Sequence, residues 1–222
     1  MTLCVAFDFD GVLVQSNAVK RQAYRDIFAA VAGSQPVVDG VLGADTEDDR
    51  FGVIRSILRG LGQSATDLEG QVAQYAERYN AICEEHAATC REVPGAAAAL
   101  DDLSQRHPLY VVSATPEDPL RRIVTRRGWT AYFREVLGRP RTKRENLARV
   151  MHRERIGPEG IVFVGDGRRD LEAARATGCH FLGVRNEFND FDSSGVTMLD
   201  DLTSLRELIE ARSDARATGR TG

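Results

Sequence analysis

The sequence predicts an α/β protein whose core is a Rossmann-like, doubly wound parallel sheet with an inserted α-helical domain. Short apolar runs alternate with amphipathic helical patterns from residue 92 onward, and this order is typical of parallel sheets. A first apolar strand, Cys4–Phe7, is separated from that alternation by residues 15–91, where helical periodicity dominates. We therefore predict a core of residues 1–14 and 92–222, and a helical cap of residues 15–91.

Three helical patterns fill the predicted cap. They cover residues 17–32, 45–61 and about 66–90, each with apolar side chains recurring at helical spacing. One short strand-like run, Pro36–Val38, interrupts them. A helical block of this length after a buried strand indicates a separate inserted domain.

In the rest of the chain, helices and strands are predicted in alternation. The helical patterns lie at residues 96–105, 117–127, 142–152, 168–177 and 202–211, and the strand patterns at residues 109–113, 135–137, 161–164, 181–184 and 196–199. The tail from Ser213 onward is rich in Gly, Arg and Thr, and we expect it to be disordered.

Composition narrows the class of protein. The 222 residues are 42% hydrophobic and 28% charged, with a net charge of −4, which argues against both a nucleic-acid-binding protein and a disordered chain. No stretch approaches the roughly 20 apolar residues of a membrane helix. The N-terminus enters a strand without a secretory signal, so we expect a cytoplasmic protein without a membrane or nucleic-acid partner, either monomeric or homodimeric.

Polar side chains stand where three of the predicted strands end. Asp8 and Asp10 follow the first strand, Ser113 and Thr115 stand at the end of the second, and Asp166 and Asp170 follow a later one. The carboxyl ends of parallel strands share one edge of the sheet, so these groups can meet in a single crevice. Two carboxylates about 4 Å apart repel by roughly 4 kcal/mol at an effective dielectric near 20. Oxygen ligands without a histidine pair favour magnesium as the compensating cation.

The motifs that contain these residues resemble the haloacid dehalogenase superfamily, in its phosphoglycolate-phosphatase-like branch with an inserted helical cap. The resemblance extends over nearly the whole chain and rests on four motifs in order. They are Asp8-Phe9-Asp10-Gly11-Val12-Leu13, Val111-Val112-Ser113-Ala114-Thr115, Lys143 within Arg141–Leu147, and Gly165-Asp166 through Asp170.

The resemblance implies a magnesium-dependent phosphatase that hydrolyses a small phosphorylated metabolite. Asp8 is the implied nucleophile, which becomes an aspartyl-phosphate, and Asp10 is the acid and base. The implied magnesium ligands are Asp8, Asp166 and the backbone carbonyl of Asp10, with Asp170 as a supporting group. Ser113 and Lys143 are implied to bind and stabilise the phosphoryl group. The implied phosphate-binding set is Gly11, Ser113, Ala114 and Lys143.

Several alternatives stay open at this stage. The related branch often places its lysine in a Lys-Pro pair, whereas this chain has Arg139-Pro140; Lys143 is preferred because an arginine does not imitate a compact ammonium group. A phosphomutase resembling β-phosphoglucomutase would use the same residues. A dehalogenase would not need Asp10, and a catalytically silent scaffold would keep only the fold. The sequence does not identify the substrate.

Overall fold

The computed structural model describes residues 3–44, 49–63, 67–188 and 191–218. The chain divides into two compact units, Met1–Gln15 with Ala87–Gly222, and Ser16–His86. The first unit contains a parallel sheet flanked by helices, and the second is built from helices. Within the described ranges, no helix combines the length and the apolarity needed to cross a bilayer.

The helices and strands follow the predicted alternation along the chain. The strands are β1 (Cys4–Phe7), β2 (Leu109–Pro116), β3 (Phe133–Arg139), β4 (Ile161–Gly165), β5 (His180–Val184) and β6 (Thr197–Leu199). The helices are α1 (Asn17–Ile27), α2 (Ser34–Gly43), α3 (Arg50–Gly60), α4 (Leu68–Thr89), α5 (Ala96–Ser104), α6 (Glu117–Arg126), α7 (Lys143–Glu154), α8 (Arg168–Thr177) and α9 (Leu205–Thr218).

The sheet confirms the predicted fold class. Its strands lie in the order β3-β2-β1-β4-β5-β6, and each neighbouring pair is parallel. The order reverses at β1, so the carboxyl ends of β1 and β4 flank the switch point where open α/β sheets place their ligands.

Alternating side chains of β1 reach the two faces of the sheet, because successive residues of a strand point to opposite sides. Val5 and Phe7 belong to an apolar cluster that also contains side chains from α5, α6 and α9. Cys4 and Ala6 belong to a second cluster, with side chains from α7 and α8. All four β1 residues are buried, which explains why the run lacks the polar alternation of a half-exposed strand.

The helical unit has its own apolar core and contains one element that differs from prediction. The strand-like run Pro36–Val38 lies inside α2. A proline is tolerated in the first turn of a helix because the amide there has no intrahelical acceptor. Val38 is buried among apolar side chains from α1, α3 and α4. Tertiary packing therefore decided the conformation of a segment whose local sequence favoured a strand.

The C-terminal helix is longer than the pattern predicted. The expected disordered tail began at Ser213, but α9 continues to Thr218; residues 219–222 of that expected tail lie outside the described residues. Ile209 and Leu205 of α9 are buried in the sheet core. The residues that follow them include alanine and arginine, which are good helix formers and continue the helix once it is docked.

The helix predicted over residues 45–61 corresponds to α3. It begins at Arg50, and residues 45–48 lie outside the described residues.

Within the sheet unit, Arg127 binds the last residues of α4 and the residue that follows it. Its guanidinium donates to the carbonyl oxygens of Ala87 and Cys90, both at 2.7 Å, and lies over the Trp129 ring at 5.0 Å from the centroid. The last carbonyls of a helix have no intrahelical donors. Arg127 supplies such donors from a neighbouring helix end, so it fixes the point where the chain re-enters the sheet unit.

We expect Arg127→Met to lower the free energy of unfolding by about 2–3 kcal/mol, because two half-buried carbonyl groups lose charged donors. Urea unfolding followed by circular dichroism measures the change. Arg126→Met is the matched control, since Arg126 is an exposed neighbour, and its effect should stay within about 0.5 kcal/mol. Equal stabilities of the two variants would contradict the anchoring role.

Candidate active site

The first pair of acids lies on a tight turn directly after β1. The Asp8 amide donates to Val164 O at 2.8 Å, which holds the chain against β4 one residue beyond the strand. Gly11 then adopts φ 79°, a conformation that favours glycine, and its amide donates to Val14 O at 2.8 Å. The turn presents Asp8 and Asp10 at the carboxyl edge of the sheet. The Gly11 amide is engaged within the turn, which gives Gly11 a conformational role; the phosphate contact implied by the resemblance stays a prediction.

Lys143 lies between two of the candidate acids. Its Nζ atom is 2.5 Å from Asp170 Oδ1 and 3.1 Å from Asp8 Oδ1. The lysine is the first residue of α7, and Thr142 and Glu145 form a capping box at that helix start. A capped helix start fixes the backbone from which the lysine extends. Arg139, the alternative cation, lines a cavity together with Lys143, and the ion pair of Lys143 with Asp8 favours Lys143 for the third-motif role.

Asp170 is held by donors on both carboxylate oxygens. Oδ1 accepts from Lys143, and Oδ2 accepts from the amides of Gly167 at 3.1 Å and Asp166 at 3.3 Å. This arrangement needs Gly165, because a Cβ at that position would lie 2.6 Å from Asp170 Cγ. Asp170 therefore orients Lys143 and the loop that carries Asp166.

Asp10 is hydrogen-bonded to the end of β2 through Thr115, a residue to which the sequence analysis gave no catalytic or binding role. The Thr115 hydroxyl donates to Asp10 Oδ2 at 3.0 Å, and the Thr115 amide donates to Ser113 Oγ at 3.1 Å. Ser113 is 1% exposed. Because its oxygen accepts from Thr115, its own hydrogen can point to another acceptor. The available signal was Thr115 itself, a second hydroxyl at the same strand end.

Asn186 is a second residue that the sequence analysis missed. It follows β5, and its side-chain amide donates to Asp166 Oδ2 at 2.8 Å, while its Oδ1 accepts from the Phe188 amide at 2.8 Å. The amide hydrogen bond fixes the rotation of the Asp166 carboxylate. The signal in the sequence was a polar residue two positions after a predicted strand, at the same edge of the sheet as the acids.

The match to known proteins covers most of the chain. A family model described as haloacid dehalogenase-like hydrolase matches residues 5–184. A curated phosphoglycolate phosphatase from Synechococcus elongatus is 30% identical over 192 residues, which are 85% of this chain and 86% of that protein. The chain belongs to the haloacid dehalogenase-like hydrolase family.

Solved structures share the fold of this hydrolase. The crystal structure of a predicted phosphoglycolate phosphatase from Haemophilus somnus has a TM-score of 0.77 and 20% identity, and covers 93% of this chain and 97% of its own. A β-phosphoglucomutase from Clostridium difficile has a TM-score of 0.71 and 16% identity, with 98% and 100% covered. These structural matches show the shared fold. The family model and the curated relatives confirm the predicted family, its phosphoglycolate-phosphatase-like branch and the enzyme class, a phosphoric monoester hydrolase.

Burial and charge shift the proton affinities at the centre of this hydrolase. Burial raises the pKa of Asp8 from 3.8 to about 7, and Lys143 opposes that rise, whereas Asp170, Asp166 and Asp10 add to it. Burial also disfavours the charge of Lys143, yet Asp170 and Asp8 together raise the pKa of its ammonium group. The lysine therefore stays charged, while Asp8 lacks full compensation for its own charge.

The donor set fits a hard divalent cation. One carboxylate oxygen from each of Asp8, Asp166 and Asp170 lies within 4.8 Å of the other two. Magnesium binds oxygen at about 2.1 Å in an octahedron, which spaces its ligands roughly 3–4 Å apart. Asp8 Oδ1 is buried, and the Lys143 ammonium at 3.1 Å is shared with Asp170. One ammonium beside three carboxylates leaves an excess of negative charge, which such a cation stabilises.

Because the pKa of Asp8 is raised in the folded state, the metal-free protein should lose stability as the pH rises and Asp8 becomes charged. Between pH 3.8 and about 7, Asp8 keeps its proton in the folded state but has lost it in the unfolded state. The contribution of Asp8 to the free energy of unfolding is therefore most favourable below pH 3.8 and is lost as the pH rises to about 7. Asp8→Asn removes the unfavourable free energy of the buried charge. In EDTA, the variant should exceed the wild type in stability by about 1–4 kcal/mol at pH 8, and the two should converge near pH 4.

Chemical unfolding at several pH values measures this difference. Asp200→Asn is the control, because the Asp200 side chain is 90% exposed, and it should follow the wild type at every pH. An Asp8→Asn variant less stable than the wild type at pH 8 would contradict the unfavourable charge at Asp8.

Proposed function

We propose that this hydrolase is a magnesium-dependent phosphatase that acts through an aspartyl-phosphate on Asp8. The observation that carries the proposal is the position of the Asp8 carboxylate. It is 5% exposed, lies 3.1 Å from the Lys143 ammonium, and shares a cluster of oxygens with Asp166 and Asp170. Such a site brings a nucleophile and positive charge to one point, which is the main requirement of phosphoryl transfer.

In the first step, an Asp8 oxygen attacks phosphorus and the bond from phosphorus to the leaving alcohol oxygen breaks. Asp10 donates its proton to that oxygen, and the Thr115 hydroxyl holds the Asp10 carboxyl in a fixed orientation. Lys143 and the Ser113 hydroxyl stabilise the charge on the phosphoryl oxygens. Magnesium, held by Asp8 and Asp166 with the Asp10 carbonyl, would supply further positive charge at those oxygens.

In the second step, Asp10 is a carboxylate and accepts a proton from water. The water oxygen attacks phosphorus, and the bond from phosphorus to the Asp8 oxygen breaks, which releases phosphate and restores the Asp8 carboxylate. Asp170 acts through Lys143 and the Gly167 amide, both of which it binds. We assign it a positioning role because both of its oxygens already accept from protein donors.

The substrate class we propose is a small phosphorylated metabolite. The support is the activity for which the curated relatives are named, phosphoglycolate phosphatase, at 30% and 27% identity, so 2-phosphoglycolate is the first compound to test. We further propose that the helical unit, expected at residues 15–91, serves as the cap that closes over the substrate and excludes bulk water.

We expect magnesium-dependent hydrolysis of 2-phosphoglycolate and of p-nitrophenyl phosphate, with phosphate as product. Asp8→Asn should lower kcat at least about a thousandfold, because the nucleophile is lost, and Asp10→Asn should lower kcat about a hundredfold or more, because proton transfer is lost. Release of phosphate, with and without EDTA, measures both. The Asp200→Asn variant again serves as the control that keeps wild-type rates.

A labelled phosphoenzyme separates the proposed mechanism from its alternatives. With 32P-labelled substrate, label should be trapped by acid quench on the wild type and be absent from Asp8→Asn. Transfer of the label to an added sugar phosphate, in preference to water, would instead establish a phosphomutase. Halide release without magnesium would establish a dehalogenase. Neither magnesium binding nor hydrolysis of any phosphoester would indicate a silent scaffold.

A further inference from the structure

A cationic cavity lies beside the proposed catalytic residues within the sheet unit. Its volume is about 480 Å³, which is in the size range of small-molecule sites. The end of β3 and the loop after it, the start of α7, one face of α8 and one residue of β2 line it. The lining residues are Ala114, Arg139, Pro140, Arg141, Thr142, Lys143, Arg144, Arg169, Glu172, Ala173 and Ala176.

The charge of this cavity opposes that of the whole chain. Five of its lining residues are cationic and one, Glu172, is acidic, although the protein as a whole carries a net charge of −4. Four of the six residues from Arg139 to Arg144 are cations, and none is an acid. The local excess therefore comes from a short loop and is not a general property of the surface.

Two of these arginines form no close contact with a carboxylate. In the described part of the chain, Arg141 and Arg144 form no ion pair within 4 Å and donate no side-chain hydrogen bond. Their charges do add to the hydrogen bonds from Thr142 in lowering the pKa of the Glu145 carboxyl group. The nearby acid Glu145 is held by Thr142, whose amide and hydroxyl donate to Glu145 Oε2 at 2.7 and 2.9 Å. Guanidinium groups stay charged at every accessible pH and bind carboxylates and phosphates in bidentate fashion. An anion in the cavity would relieve their mutual repulsion.

We propose that this cavity, here named the arginine pocket, binds a small polyanion through phosphate or carboxylate groups. Arg141 and Arg144 are the principal contacts, and the apolar wall of Ala173 and Ala176 accommodates the carbon skeleton. The pocket shares Lys143 with the catalytic cluster. Two sources of the anion fit this chemistry: the far end of a substrate whose phosphoryl group lies at Asp8, or a separate metabolite.

Direct binding of inorganic phosphate in EDTA tests the pocket without any need for catalysis. Without a divalent cation, the carboxylates of Asp8, Asp166 and Asp170 repel an anion, so the phosphate reports on the arginines. We expect the double variant Arg141→Gln/Arg144→Gln to weaken phosphate binding at least about tenfold in isothermal titration calorimetry. Rising ionic strength should weaken binding to the wild type as well.

The matched control is Arg106→Gln/Arg206→Gln, which removes the same charge from two exposed arginines outside the pocket. This control should bind phosphate as the wild type does. The inference is overturned if the pocket variant also binds phosphate like the wild type, or if both double variants weaken it equally. It is also overturned if Ser113→Ala abolishes binding that the pocket variant retains, because the phosphate would then lie at the catalytic cluster.

Kinetics distinguishes the two sources, and only this arm rests on the proposed function. If the pocket receives the far end of the substrate, the pocket variant should raise KM for 2-phosphoglycolate at least about tenfold more than KM for p-nitrophenyl phosphate. If it binds a separate anion, the ratio of the two KM values stays constant while phosphate affinity falls. Lack of hydrolysis by the wild type would reject the proposed function, whereas the binding experiment would still decide on the pocket.

Discussion

The contact of Lys143 with Asp8 and Asp170 is the interaction on which the proposed site depends. Buried carboxylates are costly without positive charge, and here one ammonium lies against two of them. The compensation is incomplete, because the pKa of Asp8 remains raised to about 7. The site therefore holds Asp8 in an unfavourable charged state that a cation would stabilise.

The surrounding structure maintains this arrangement through backbone geometry. The capping box at Thr142 fixes the first turn of α7, which places the lysine backbone at the sheet edge. Gly165 leaves room for Asp170 to approach β4, and the amides of that loop bind its carboxylate. The electrostatic balance at Asp8 thus depends on a helix cap and on one missing Cβ atom, in addition to the charged groups around it.

The cations of the segment from Arg139 to Arg144 have two roles. Lys143 forms ion pairs with Asp8 and Asp170 at the sheet edge, whereas Arg141 and Arg144 line the adjacent pocket. A single short segment thus stabilises negative charge on the protein and offers positive charge to an anion. This division explains why the loop carries several cations although one lysine is sufficient to pair with Asp8 and Asp170.

The sequence by itself determined the fold class, the family and the residues that meet at the sheet edge. Strand and helix periodicities are local, and acids directly after strands must share an edge in a parallel sheet. The tertiary structure decided what depends on distance between remote residues. It brought Lys143 against Asp8, joined Thr115 to Asp10 and Asn186 to Asp166, and buried Val38 in a helix. Contacts across the sheet edge arise from the register of strands and the packing of helices, which no local pattern encodes.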